Sequence, residues 1–200
     1  MNYQIIAIGA SLGGMEALRT LLAFLPRHFP VPLAAVLHRH AESEGEIMTA
    51  FFQKQCVLEV IEAEDKTSMR PGHVYLAPAD YHLMVESDHF ALSSDDFVNH
   101  ARPSIDVFFE SVAEVYGKRA VGVILTGFGK DGAQGLAAIK RAGGLTIVQS
   151  PDSAEQAEMP SSALAACGAA DRVLPPEKIA SFLVEQCGPT GEAKNPAQAM

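Results

Sequence analysis

The chain has 200 residues, of which 48% are hydrophobic and 20% are charged, which is typical of one globular domain or at most two small ones. Its formal net charge is −9, and it has no run of basic residues, so its charge pattern argues against a nucleic acid or an anionic membrane as a partner. No apolar stretch reaches the roughly 18 residues of a membrane-spanning helix, and the three cysteines, odd in number and scattered along the chain, indicate no disulfide framework. We therefore expect a cytoplasmic protein without membrane insertion.

Short apolar runs alternate with segments in which apolar residues recur three and four positions apart, a pattern that predicts alternating strands and helices. In chain order, the predicted elements are a strand at 3–9, a helix at 14–25, a strand at 33–38, a helix near 44–55, a strand at 57–63, a helix at 104–117 capped by Ser104, a strand at 120–126, a helix at 132–144, a strand at 145–150, and helices at 159–168 and 176–187.

Residues 72–93 have a different pattern, with two short alternating runs around "ESDH" that favour a hairpin at an edge of the sheet. Elsewhere the alternation predicts an α/β fold, a doubly wound, mostly parallel sheet with helices on both faces and an antiparallel edge hairpin. Residues 188–200 are polar and rich in proline and glycine, so we expect one domain over 1–187 and a disordered tail.

In sheets of this kind, ligands bind outside the carboxyl ends of the strands. Three polar clusters follow predicted strands, namely "GASLGG" at 9–14, "HRH" at 38–40 and "TGFGKDG" at 126–132. These clusters are the candidate functional segments.

The first cluster contains Ser11 in a G-x-S-x-G pattern, the turn that presents a nucleophilic serine in one hydrolase fold. That turn lies well inside the chain of that fold, whereas here it follows the first strand. A phosphate-binding loop is disfavoured because Met15 stands where its lysine belongs. The remaining alternative is a serine that only caps the following helix.

The third cluster, Gly127–Gly132, matches the G-x-G-x-x-G dinucleotide fingerprint, and Asp152 stands where an acidic ribose ligand would be expected. A dinucleotide-binding module is therefore one alternative function. Too little chain follows Asp152 for a second half of that fold, and Asp131 within the loop would repel a pyrophosphate.

Alternation places His38 and His40 on the same face of the second strand, so spacing does not choose between them. A metal site with His73 or His82 lacks a cysteine or carboxylate at a supporting spacing, so we expect neither a metal nor another cofactor.

If the sheet is parallel, Ser11, His38 and Asp131 can meet at one edge. A serine needs a base to take its proton, and a carboxylate fixes the tautomer of a histidine base. Such a base typically contributes about 10²–10⁴-fold, and backbone N–H groups at glycine-rich turns can hold an oxyanion. The other alternative is a non-catalytic signalling interaction domain with the same fold.

Seven segments in order resemble the catalytic domain of the chemotaxis-receptor methylesterase (CheB) family. They are "IGASLGGMEAL", "VLH", "PGHVYLAPADYHL", "RPSIDVFFESVA", "AVGVILTGFGKDGAQGL", "AGG" with "TIVQ", and "MPSSAL". The resemblance implies hydrolysis of glutamate methyl esters on receptor signalling helices, with possible deamidation of glutamine.

The resemblance assigns the nucleophile to Ser11, the base to His38 and the orienting carboxylate to Asp131. It implies oxyanion or backbone support from Leu12 and from the backbone at Phe128 and Gly129.

The chain departs from the family pattern in four respects. Leu12 replaces a small polar residue, "GFG" replaces "GMG", and charged residues replace a proline-containing loop after His38. No receiver domain precedes the catalytic strand, so we expect a stand-alone enzyme or an excised domain, with a separate response-regulator or signalling protein as a possible partner.

Overall fold

Seven parallel strands form the main sheet of the computed structural model, which describes residues 2–188. The strand order is β3-β4-β2-β1-β7-β8-β9. In chain order the elements are β1 (Ile5–Ala10), α1 (Gly14–Ala23), β2 (Leu33–Leu37), α2 (Gly45–Gln53), β3 (Glu59–Glu62), β4 (His73–Leu76), β5 (His82–Glu86), β6 (His89–Ser93), α3 (Ile105–Tyr116), β7 (Ala120–Ile124), α4 (Ala133–Arg141), β8 (Leu145–Gln149), α5 (Glu158–Cys167), β9 (Arg172–Leu174) and α6 (Pro176–Cys187).

The central strands are buried on both faces, which is why they read as continuous apolar runs. Along β1, Ile6 and Ile8 pack in the layer formed with α1, α2 and α6. Their neighbours Ile5 and Ala7 point to the opposite layer, formed with α3, α4 and α5. The predicted doubly wound, mostly parallel α/β fold is confirmed.

The predicted hairpin is present as β5 and β6, which pair antiparallel. It forms a separate two-stranded sheet that packs on α3, whereas the edges of the main sheet are β3 and β9. The first part of the same segment is β4, a parallel strand between β2 and β3. Short apolar runs of this kind are compatible with both parallel and antiparallel pairing. Which strand lies next to them in the fold therefore determines how they pair.

Strand β9 was not predicted, because three residues at a largely exposed edge carry no clear periodicity. The predicted tail at 188–200 lies outside the described residues except for Gly188. Within residues 2–188, none of the helices combines the length and the apolar character needed to cross a bilayer.

The strand order reverses at β1, because β2 lies on one side of it and β7 on the other. Loops leaving the carboxyl ends of these strands diverge and leave a crevice, the usual position of ligand sites in open α/β sheets. The polar clusters after β1, β2 and β7 all lie there.

Candidate active site

Three loops at this crevice bring Ser11, His38 and Asp131 to the border of one cavity of about 700 Å³. Backbone hydrogen bonds continue the sheet beyond the strand ends. The His38 N–H donates to the Ala10 carbonyl (3.1 Å), and the Ser11 N–H donates to the Thr126 carbonyl (3.0 Å). The register of the strands therefore sets how the loops meet.

His38 and Asp131 form the central contact, with Nε2 of the imidazole 2.7 Å from Oδ2 of the carboxylate. The Asp131 side chain is buried and the His38 side chain is about one-fifth exposed, at 21%. A carboxylate accepts hydrogen bonds, so Nε2 carries the proton and Nδ1 is the nitrogen with a free lone pair. His38 is thereby set in the tautomer that can act as a base.

The Asp131 carboxylate also closes the N-terminus of α3. It accepts hydrogen bonds from the Ile105 N–H (2.7 Å to Oδ2), the Asp106 N–H (3.1 Å to Oδ1) and the Ser104 hydroxyl (2.8 Å to Oδ1). Asn99 supplies a further donor, with Nδ2 3.0 Å from Oδ1. Helix N-termini stabilise negative charge through these unpaired N–H groups and the helix dipole.

Burial acts to raise the pKa of Asp131, but its hydrogen bonds outweigh that effect. The His38 contact, the Ile105 N–H and the other donors together lower the pKa below its ordinary value of 3.8. Asp131 is therefore ionised at neutral pH and can stabilise a positive charge that develops on His38.

Ser11 lies directly after β1, half-buried at the cavity wall. Its hydroxyl makes no hydrogen bond within residues 2–188, and α1 begins after Gly13 without a side-chain cap. The hydrogen bond between Ser11 and the helix is made by the Ser11 carbonyl, which accepts from the Gly14 N–H (2.8 Å). The helix-cap interpretation of Ser11 is therefore wrong, and the hydroxyl is available to a reactant.

Gly127 lets the loop after β7 pass close to Ser11. A Cβ atom at Gly127 would lie 2.9 Å from the Ser11 Cβ and 2.7 Å from the Met159 sulfur. This close approach accounts for the glycine at position 127 without a bound dinucleotide. The same loop also carries Asp131, whose carboxylate would repel a pyrophosphate.

The backbone N–H groups expected to support an oxyanion border the same region. In the described part of the chain, the N–H groups of Leu12, Phe128 and Gly129 donate no hydrogen bond. Side chains hold the neighbouring carbonyls, with Thr126 donating to the Leu12 carbonyl (3.0 Å) and Ser162 donating to that of Gly129 (3.4 Å). Free N–H groups on fixed peptides are what an oxyanion site requires, so this role stays a prediction with structural support.

Two other candidate histidines lie outside this arrangement. His40 is exposed after β2. Both ring nitrogens of buried His82 are engaged, by the Asp96 carbonyl (3.0 Å) and the Ser104 N–H (3.2 Å). Among residues 2–188, no group of three or more His, Cys, Asp or Glu side chains is arranged to hold a metal ion.

Two residues that donate hydrogen bonds to Asp131 were not identified as site residues from the sequence. Asn99 contacts Asp131 from a loop more than thirty positions away. Ser104 was predicted as a helix cap, and it is one, but its hydroxyl also donates to Asp131. The asparagine of "NHARPS" at 99–104 indicates a turn, and no local pattern shows where its side chain points.

Known proteins resemble this chain over nearly its whole length. Residues 6–183 match the family model described as CheB methylesterase. A protein of Leptospira interrogans is 48% identical over 185 residues, covering 92% of this chain and 95% of that protein. A Vibrio vulnificus protein named protein-glutamate methylesterase/protein-glutamine glutaminase 2 is 40% identical over 92% of this chain, which spans 54% of that protein.

The crystal structure of the Thermotoga maritima CheB methylesterase catalytic domain superposes with a TM-score of 0.88 at 35% identity, covering 93% of this chain and all of that domain. The similarity includes the strands and loops that carry Ser11, His38 and Asp131. This chain therefore belongs to the CheB methylesterase family.

Proposed function

We propose that this chain hydrolyses methyl esters of glutamate side chains in methyl-accepting signalling proteins and can deamidate glutamine side chains. Ser11 is the nucleophile, His38 the base and Asp131 the carboxylate that orients His38. The observation that carries the proposal is the 2.7 Å contact between His38 and buried Asp131 beside a cavity that Ser11 also borders.

In the first step the Ser11 Oγ attacks the ester carbonyl carbon while Nδ1 of His38 takes the hydroxyl proton. Negative charge moves to the carbonyl oxygen, where the N–H groups of Leu12, Phe128 and Gly129 can receive it; one such donor is typically worth roughly 10²–10³-fold in rate. The ionised carboxylate of Asp131 stabilises the imidazolium.

The tetrahedral intermediate then breaks its bond to the methoxy oxygen, and His38 returns the proton so that methanol leaves. Water attacks the resulting acyl-enzyme with His38 again acting as base, which releases the glutamate side chain and restores Ser11. An amide substrate follows the same steps with ammonia as the leaving group.

The rim of the cavity suits a protein substrate. Three large apolar side chains around Ser11 are exposed, namely Leu12 (55%), Met15 (39%) and Phe128 (64%). Exposed apolar side chains grouped beside a reactive site support a contact surface for a binding partner. A receptor signalling helix is the occupant we propose, with a separate signalling protein as a regulator and the cytoplasm, where free cysteines persist, as the location.

The test is Ser11→Ala, with release of methanol from a methylated receptor fragment as the measurement. Loss of the nucleophile should reduce turnover by at least about 10⁴-fold. The free energy of unfolding should stay within about 0.5 kcal/mol of the parent, because the Ser11 hydroxyl makes no hydrogen bond in the described structure.

A fluorophosphonate probe, which phosphonylates activated serines, provides the control. The parent chain should be labelled at Ser11, and Ser11→Ala should not be labelled. Turnover that survives in Ser11→Ala would rule out the mechanism, and a parent chain that is neither active nor labelled would favour a docking function.

A further inference from the structure

The side chain of Asn99 lies between two buried carboxylates. Its Nδ2 atom is 3.0 Å from Oδ1 of Asp131 and 2.8 Å from Oδ2 of Asp106. Both carboxylates are nearly inaccessible, with exposures of 3% and 7%. An amide nitrogen carries two hydrogens, so a single asparagine serves both acceptors at once.

The backbone at Asn99 suits asparagine for a separate reason. Val98 and Ala101 exchange two backbone hydrogen bonds (3.2 and 2.9 Å), and the residues between them have positive φ angles, 52° for Asn99 and 61° for His100. This is the pattern of a type I′ turn, which favours asparagine at its first central position.

The segment that carries the turn is fixed at both ends. Arg102 binds the Asp80 carboxylate (2.6 Å). His82 accepts from the Ser104 N–H and donates to the Asp96 carbonyl (3.0 Å). Asn99 is therefore held over the carboxylates by contacts that do not depend on its own side chain.

The two carboxylates repel each other when both are charged. Burial raises the pKa of Asp106, and the nearby Asp131 raises it further, against the hydrogen bonds from the Gly135 N–H and Asn99. Other titratable groups near the pair are His38 after β2 and Glu110 on α3, and His100 and Lys130 border the same cavity as Asn99 and Asp131. The pKa of Glu110 is itself raised by burial and by both aspartates, against the nearby Arg141. Asn99 is the side-chain donor common to both carboxylates.

We propose that Asn99 is a positioning residue for the reaction: it holds Oδ1 of Asp131 and a carboxylate oxygen of Asp106 on one amide group, which leaves Oδ2 of Asp131 aimed at His38. This inference rests on the proposed function. Without Asn99, the two carboxylates lose their shared donor, and Asp131 turns or takes up a proton at a pH where it is normally charged.

The test compares Asn99→Gly and Asn99→Asp with Ser87→Gly. Glycine keeps the positive φ but removes the amide, whereas aspartate keeps the shape but replaces two donors with a third carboxylate. Ser87 also has a positive φ (49°) and lies in the β5–β6 turn, so Ser87→Gly is a matched control away from the site.

Asn99→Gly should lower kcat roughly 10–100-fold, because a displacement of about 1 Å in a catalytic group can cost about 10²-fold in rate, and KM should change little. Asn99→Asp should lower kcat further. At acidic pH, kcat/KM should fall more steeply in both variants than in the parent, because each aspartate loses a hydrogen bond to its charged form and takes up a proton at a higher pH. Ser87→Gly should match the parent in kcat, in KM and in the pH dependence of kcat/KM.

The ¹H NMR signal of the His38 Nε2 proton gives a readout besides activity. In the parent this proton lies in a hydrogen bond to a carboxylate, and it should shift or broaden in both Asn99 variants but not in Ser87→Gly. If Asn99→Gly folds and keeps the parent's kcat, pH profile and proton signal, the proposal is overturned. A failure of both variants to fold would also overturn it, since Asn99 would then be structural.

The proposed function and this inference fail in different ways. Turnover by Ser11→Ala removes the proposed function, whichever way Asn99 behaves. If the parent is active and Ser11→Ala is inactive, an unaffected Asn99→Gly removes only the role of Asn99.

Discussion

At the scale of single residues, Asp131 has two roles that depend on the same charge. Oδ2 faces His38 and the Ile105 N–H, while Oδ1 accepts from Ser104 and the Asp106 N–H. The carboxylate that contacts His38 therefore also closes the N-terminus of α3. Loss of this side chain should affect both stability and catalysis.

Asp131→Ala should abolish turnover and lower the free energy of unfolding by about 2–3 kcal/mol at pH 7, because buried donors lose their acceptor. The pKa of Asp131 is lowered by folding, so its stabilisation is present above the unfolded value of about 3.9 and is lost as pH falls through the folded value. Urea unfolding of parent and variant should therefore converge as the pH falls below about 4. Equal stability at pH 7 would contradict the prediction, and Ser11→Ala serves as the control.

At the scale of elements, the packing of α3 against α4 sets the position of the carboxylates. The Gly135 N–H on α4 donates to Oδ1 of Asp106 on α3 (2.7 Å). A Cβ atom at Gly135 would lie 2.5 Å from the Phe109 Cβ and 3.0 Å from the Asp106 carbonyl oxygen. Only glycine allows the helices to come this close.

Gly135→Ala should lower the free energy of unfolding by about 1–2 kcal/mol, because the steric cost of overpacking exceeds the gain of about 1 kcal/mol in helix propensity. It should also reduce kcat, since the shift of α4 moves Asp106 and with it Asp131. Gln134→Ala, at an exposed position on the same helix, should leave stability within about 0.5 kcal/mol. Thermal unfolding and turnover of both variants provide the measurement, and an unchanged Gly135→Ala would contradict the packing argument.

At the scale of the whole molecule, one core layer extends from α2 to the end of α6. Cys56, after α2, and Cys187, at the end of α6, are both buried in it. Cys167 lies half-buried near the opposite layer. Burial raises the pKa of Cys187 to about 11, so at pH 8 it is a protonated thiol.

At pH 8, a thiol reagent should therefore react with Cys56 and Cys187 only after unfolding, and with Cys167 faster than with either. Because the two buried thiols lie in one layer, they should become reactive at the same denaturant concentration, which should match the midpoint by circular dichroism. Mass spectrometry of labelled peptides separates the sites. Rapid labelling of Cys187 without denaturant would show that the end of α6 opens independently.

The local patterns of the sequence were sufficient for most of the architecture. The apolar runs at β1 and β7 and the Ser104 cap were predicted from local signals and are confirmed. The position of the polar clusters after β1, β2 and β7 follows from the same alternation, since parallel strands place their carboxyl ends together. Membership of the family followed from several such segments in order.

The choice between His38 and His40 required the tertiary structure or the family resemblance. Alternation in the sequence puts both residues on one face of the predicted strand, and it is the loop after β7, ninety-three positions away, that brings a carboxylate to His38. The tertiary structure also decided the contact of Asn99 with two carboxylates and the pairing of β4 with β2 and β3. Periodicity and capping are local properties that a sequence records directly, whereas these contacts depend on strand register and loop paths set by the packing of the whole sheet.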